Sequence, residues 1–242
     1  MRTLWLVRHG ESLGNVAASR AEAEGLEHVP IEFRDADVPL SAAGEEQARA
    51  LGRWFADVRD GIGLCWSSPY LRAQQTLAIA AGDAPAPTVL DERLRDRELG
   101  VLDRLTWRGV ERLHPEEAER RRHLGKFYHR PPGGESWADV GLRLRSVLRD
   151  ILDGPQESAL VVAHDAVVTL VAALLLAMPE QHLLRFAAEH PVLNASVTRL
   201  DVDPAGWRIG MFSDVTHLQQ AGADVTAHQG SPDVQHPDAG RR

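Results

Sequence analysis

The chain reads as α/β: a single three-layer α/β/α domain around a mainly parallel central sheet. Three observations predict this. Short apolar runs of strand length recur at residues 4–7, 64–66, 88–90, 159–163 and 197–202. Segments of helical period lie between them, and that alternation implies a parallel sheet covered on both faces. The 242 residues, 43% hydrophobic, are enough to bury one substantial core.

The first run, Leu4-Trp5-Leu6-Val7, is too short for a helix and stops at Arg8-His9-Gly10-Glu11. A buried strand of a parallel sheet ends this way, and the residues behind it lie at the carboxyl edge, where open α/β sheets place ligands. Ser41 can cap a helix with Ala48, Leu51, Phe55 and Val58 on one face. After the second strand, Ser68 suits an N-cap and Pro69 a first helical position, which puts Arg72 in the first turn. Free N–H groups and the positive end of the dipole favour an anion there. Residues 125–135, with Pro131, Pro132, Gly133 and Gly134, read as a loop crossing the surface or covering a site. Ser136 and Asp139 form a capping box ahead of the stripe Trp137, Val140, Leu144, Val147 and Ile151. The strand at 159–163 ends at His164, and a helix over 165–178 follows, stopped by Pro179. Beyond about Gln219 the chain is polar and aperiodic, which predicts a domain over 1–218 and a disordered tail over 219–242.

Composition narrows the function. A net charge of −8 leaves no basic excess for a general nucleic-acid partner. Cys65 is the single cysteine, so neither an internal disulfide nor a thiolate metal cage can form. Arg8, His9 and Glu11 break the N-terminal apolar run before it resembles a signal peptide. The longest apolar stretch, residues 166–178, is shorter than the ~20 residues of a membrane span. A soluble, cytoplasmic protein with no membrane partner is expected.

Taken singly, Arg8-His9, Arg72 and His164 each have an ordinary explanation: a solvated strand end, an exposed helix arginine, a satisfied core histidine. All are expected at carboxyl ends of strands in one sheet, which share an edge and can converge. Guanidinium groups there can hold a phosphoryl group while an imidazole attacks it.

Arg8-His9-Gly10-Glu11 with Asn15, Asp37-x-Pro39-Leu40-Ser41-x-x-Gly44, Ser68-Pro69 with Arg72-Ala73 and Gln75-Thr76, Gly134-Glu135-Ser136 and His164 occur in this order. The set resembles the histidine phosphatase superfamily, in its phosphoglycerate-mutase-like branch, over residues 2–218. The resemblance implies that His9 is a nucleophile that becomes phosphohistidine. It also implies that Arg8, Arg72 and His164 surround the phosphoryl group and that Asn15, with Ser12, binds it or the substrate. It further implies a small-molecule phosphate ester as partner. No metal or other cofactor is required in principle, because phosphoryl transfer asks for positioning and charge stabilisation.

Two departures stand out. The branch supplies a Glu four residues before a Gly as general acid; here Asp96 holds that position in Leu94-Arg95-Asp96-Arg97-Glu98-Leu99-Gly100. Glu98 is the second candidate. Asp165, placed as in the acid phosphatases of the other branch, is the third. Residues 16–34 are rich in Ala and Glu, without the aromatic- and Arg-containing segment by which the mutases hold phosphoglycerate. Hydrolysis of a phosphomonoester is therefore the main reading, with a phosphoglycerate-type mutase or a catalytically weak phospholigand-binding domain as alternatives. A cysteine phosphatase needs Cys-x5-Arg, whereas six residues separate Cys65 from Arg72; the histidines show no metalloprotease spacing. Trp107, Phe127, Tyr128, His129 and Arg130 are candidates to line a substrate pocket, though Trp107 and Phe127 suit a core equally.

Overall fold

The computed structural model describes residues 1–82 and 87–228. Six strands, β1 (Thr3–Arg8), β2 (Leu64–Ser67), β3 (Thr88–Leu90), β4 (Ser158–Ala163), β5 (Val197–Asp203) and β6 (Gly206–Asp214), form one sheet in the order β3-β2-β4-β1-β5-β6. The first four are parallel to their neighbours; β5 runs antiparallel to β1, and β6 to β5. Register places the chemistry. Arg8 pairs with Ala163 and Ser67 with Val162, so the next residues, His9, His164 and Ser68, emerge side by side at one edge. Backbone bonds from His9 N–H to Ala163 O (2.9 Å) and from Ser68 N–H to Val162 O (2.9 Å) carry the pairing into the site.

Strands β1, β2 and β4 are apolar at most positions because both faces are covered there. Leu4, Leu6, Val161 and Ala163 face one cluster, built with Val140, Leu144, Val147 and Ile151 of α6 (Trp137–Leu152) and Val167, Leu170 and Val171 of α7 (Asp165–Leu175). Val7, Leu160 and Val162 face the other, with Leu51 and Phe55 of α2 (Ala42–Val58) and Leu77 of α3 (Leu71–Ala81). Deleting a side chain such as Leu144, fully buried, costs about 2–5 kcal/mol.

The caps at Ser41 and Ser136 form as expected. Ser41 Oγ accepts from Gly44 N–H (3.0 Å), and Ser136 and Asp139 make the reciprocal capping box. Elsewhere the structure differs. Tyr70 stays extended at φ −69, ψ 135, so α3 begins at Leu71 and Ser68-Pro69 form a bend before it rather than its cap. Ser68 Oγ lies 2.8 Å from His164 Nε2, which directs it to the sheet edge; Arg72 remains in the first turn. The expected loop over 125–135 is shorter, because α5 (Pro115–Tyr128) continues through a kink at Gly125, whose φ of 75 a glycine supplies without strain. The helix expected over 165–178 stops at Leu175. Strand β6 carries too even a mix of half-exposed side chains to announce itself. Trp107 packs on Leu102, Leu105 and Val110, and Phe127 on the main core, while Cys65 is buried. Tyr128 is exposed, and His129 is buried against Glu117 (3.0 Å). Among the described residues no helix is long and apolar enough to cross a membrane.

The boundary at Gln219 needs correction. Helix α9 (Thr216–Ala221) crosses it, and residues 223–228 lie along the domain. Gln47 Nε2 donates to Asp224 O and Thr226 Oγ1 (both 2.9 Å), Asn194 N–H to Thr226 O (3.2 Å), and Arg8 Nη2 to His228 O (2.7 Å). Composition missed this because three of these bonds go to backbone carbonyls and the side-chain contacts of Thr226 and His228 have no periodicity. The expected disorder over 229–242 lies outside the described residues.

Candidate active site

The loop behind β1 is fixed from several sides. Gly10 N–H donates to Thr76 Oγ1 (3.0 Å), Glu11 N–H to Gln47 Oε1 (2.8 Å), and Leu40 N–H to Gln75 Oε1 (2.9 Å). The loop also runs so close to α2 that a Cβ on Gly44 would stand 1.9 Å from Glu11 O. Only glycine fits there, which gives the Leu40-Ser41-x-x-Gly44 motif its physical reason.

His9, buried at 3% exposure, has its tautomer set by its partners. A carbonyl only accepts, so Nδ1, 2.6 Å from Gly10 O, carries the proton. Arg72 only donates, so Nε2, 3.3 Å from Arg72 Nε, presents its lone pair. Burial first, then the neighbouring Arg72, His164 and Arg8, hold His9 well below the usual histidine range; the Gly10 bond opposes this. The imidazole is neutral at pH 7, with a bare nitrogen facing a guanidinium.

Arg72 is the hub. Nη2 donates to Asp96 Oδ2 (3.1 Å), and Nη1 donates to Asp35 O (2.6 Å) and pairs with Asp35 Oδ1 (2.9 Å). His164, fully buried, stands edge-on to His9 with ring centroids 5.2 Å apart. Ser68 Oγ accepts from Tyr70 N–H (3.2 Å) and can give its own proton to His164 Nε2, the pairing that leaves a proton on Nδ1. That nitrogen is 3.3 Å from Asp96 Oδ2 without hydrogen-bond alignment. Burial, followed by Arg72, Arg143 and Arg8, also keeps His164 neutral.

Of the three acid candidates, Asp96 contacts both Arg72 and His164. Glu98 lies at the rim, accepting from the Tyr70 hydroxyl (3.0 Å). Asp165 accepts from Ala166 N–H (2.6 Å) in the first turn of α7. The segment that carries Asp96 is clamped by Arg143, Arg95 and Glu135. Arg143 donates to Asp96 O (3.0 Å) and Arg93 O (2.6 Å) and grips both oxygens of Glu135 (2.9 and 3.0 Å). Glu135 also takes Arg95 Nη2 (2.7 Å), which explains the glutamate of Gly134-Glu135-Ser136.

Arg8 is buried; Nη1 donates to Val192 O (2.5 Å) and Nη2 to His228 O, while Nε has no partner among the described residues. Ser12 is buried as the N-cap of α1 (Leu13–Ala23), with Oγ accepting from Asn15 N–H (3.1 Å). Asn15 Oδ1 is taken by Ser12 N–H (3.1 Å) and Asn194 Nδ2 (3.3 Å), so Asn15 has its Nδ2 donor to offer. Asn194 and Asp35 escaped the sequence reading. Neither falls in a quoted motif, although Asp35 lies only two residues before Asp37.

The arrangement offers a neutral nucleophilic nitrogen, two arginines, a second neutral histidine and one carboxylate within reach of both, a constellation suited to phosphoryl transfer. The "Probable phosphoglycerate mutase GpmB" of Yersinia enterocolitica is 33% identical over 232 residues, covering 93% of this chain and 98% of that protein. Its counterpart from Enterobacter sp. strain 638 is 32% identical over the same shares. Among solved structures, Bacillus stearothermophilus YhfR superposes with a TM-score of 0.72 at 26% identity, over 90% of this chain and all of that one. The α-ribazole phosphatase of Shigella flexneri shares the fold, with a TM-score of 0.72 at 23% identity over 88% of this chain and 96% of that one. With the sequence profile of that family matching residues 4–215, the chain belongs to the histidine phosphatase superfamily, branch 1.

Proposed function

We propose that the protein is a phosphomonoester hydrolase acting on a small phosphorylated metabolite through a phosphohistidine at His9. The observation that carries this is the tautomer of His9, with Nδ1–H bound to Gly10 O and Nε2 turned to Arg72. In the first step Nε2 forms the N–P bond as the ester P–O bond breaks, and the leaving oxygen takes a proton from the Asp96 carboxyl. In the second, Asp96 takes a proton from water as its oxygen attacks phosphorus, the N–P bond breaks and inorganic phosphate leaves. Arg72 through Nε and Nη2, Arg8 through Nε, His164 through Nδ1 and Asn15 through Nδ2 donate to the phosphoryl oxygens. Each charge-assisted bond of this kind contributes roughly 1.5–3 kcal/mol. Ser12 acts by fixing Asn15. The lone buried cysteine suits a cytoplasmic enzyme.

A brief incubation with 32P-labelled ester tests the reading. It should yield an acid-labile, base-stable adduct that His9→Ala lacks; an adduct that persists in that variant overturns it. The names of the GpmB relatives favour a second reading, a phosphoglycerate mutase. Interconversion of 3- and 2-phosphoglycerate outrunning phosphate release would select it.

A further inference from the structure

We propose that Asp35 is a positioning residue for the reaction, the fixed counter-ion that holds the Arg72 fork toward His9 and so frees Asp96 to serve as the acid. This rests on the hydrolase reading for its catalytic part, though its geometric part does not.

The argument starts from the shape of a guanidinium. Nε–H and one N–H of Nη2 point the same way along one edge, the fork that meets two phosphoryl oxygens. In Arg72 that edge faces His9 Nε2 and Asp96 Oδ2, the place a phosphoryl group on His9 would occupy. The opposite nitrogen, Nη1, points away from His9 and finds two acceptors on one residue, the backbone O of Asp35 at 2.6 Å and its Oδ1 at 2.9 Å. Two acceptors on one nitrogen fix the rotation of the whole plane.

The two carboxylates therefore stand on different ends of one buried cation. Asp96 occupies the working edge and must leave it when phosphoryl oxygens arrive. Asp35 occupies the back and need not move. Asp35 also keeps Arg72, only 4% exposed, compensated once Asp96 has taken a proton. The short turn Asp35–Asp37 presents it, tied by Asp37 N–H to Arg34 O (2.8 Å). Partial withdrawal from solvent and the nearby Asp96 push the Asp35 carboxyl upward while Arg72 opposes them, as expected of two acids sharing one guanidinium.

A positioning counter-ion and a structural pair predict opposite results. Asp35→Asn keeps an oxygen acceptor but removes the charge. Arg72, uncompensated at its back, then holds phosphate more strongly on its working edge and releases it more slowly. Inorganic phosphate, titrated calorimetrically into the full chain, should bind about threefold to tenfold tighter to Asp35→Asn, while kcat on an alkyl phosphate falls about tenfold. Asp35→Ala, which also loses the acceptor, should lower kcat further. Weaker phosphate binding in Asp35→Asn, or kcat and affinity both within twofold of wild type, would overturn the proposal. The side chain of Asp35 is 44% exposed and Asn nearly isosteric, so folding should survive; a melting curve checks it. If the wild-type chain binds phosphate yet turns over no ester, the hydrolase reading fails, and the affinity comparison still decides whether Asp35 governs Arg72.

Discussion

The His9 side of the candidate site and its Asp96 side are built on different principles. His9, Ser68 and His164 stand directly behind strands of one sheet, where register brings them together, and Arg72 joins them from the first turn of α3. Asp96 lies on an irregular stretch between β3 and α4 (Trp107–Leu113), placed by side chains: Arg143, Glu135, Arg95 and Arg72. Even the close approach of Gly100 to the Pro131-Pro132-Gly133-Gly134 loop, where a Cβ would meet Pro132 O at 2.1 Å, depends on one residue type. A sheet edge tolerates change around it, whereas a cluster of ion pairs fails one member at a time. The sides should thus respond differently to substitution.

The largest effect belongs to the strand-end side. His9→Ala should lower turnover roughly 10⁴-fold or more, with the melting temperature barely altered, because the nucleophile has no substitute and the register needs only its backbone. Next comes Asp96→Asn. A general acid contributes about 10²–10⁴-fold, and more as the leaving group becomes more basic. Alkyl phosphates should suffer that full loss while nitrophenyl phosphate is spared. Glu98→Gln and Asp165→Asn should show no such selectivity; if either does and Asp96→Asn does not, that residue is the acid. Arg72→Ala removes a donor to both sides and should reduce kcat about 10²–10³-fold on either ester. A rise in KM alone would mean that Arg72 binds ground and transition states equally.

The same contrast explains what the sequence disclosed. An apolar run ending at Arg8-His9, and another ending at His164, announce both an element and its terminus, so this side could be read from pattern. Asp96 was legible as a candidate by spacing to Gly100, but that it rather than Glu98 reaches Arg72 and His164 is a distance between loops, which leaves no periodicity. Asp35 and Asn194 were invisible for the same reason. So was the packing of residues 223–228, held by carbonyls that any residue carries and by two isolated side chains, Thr226 and His228.

A smaller effect concerns stability against pH. His9 and His164 both titrate well below the usual histidine range, chiefly through burial. Below about pH 6.5 the unfolded chain takes up protons at these sites and the folded one does not, so stability falls as pH falls. It is fully present above that pH and is lost at up to about 1.4 kcal/mol per pH unit per histidine until the folded value is reached. His164→Gln should flatten the decline of melting temperature between pH 7 and 5.5. An unchanged slope would show that His164 titrates alike in both states.

The smallest effect separates residues 220–228 from a free tail. Truncation after Gln219 removes the acceptors of Gln47, of the Asn194 amide and of Arg8 Nη2. It also removes His228, whose Nε2 lies 2.6 Å from Glu11 Oε2 on the nucleophile loop. Each bond contributes about 0.5–1.5 kcal/mol net, and ordering the segment offsets most of the sum. A residual 1–2 kcal/mol corresponds to about 2–8 °C in a chain of this size. Calorimetry on the truncated chain should show that fall, with His228→Ala giving a lesser one because the His228 carbonyl still reaches Arg8. An unchanged melting temperature would mean that the segment is held too weakly to matter. In that case Arg8 Nη2 faces solvent much of the time, and the strand-end side depends on the sheet alone.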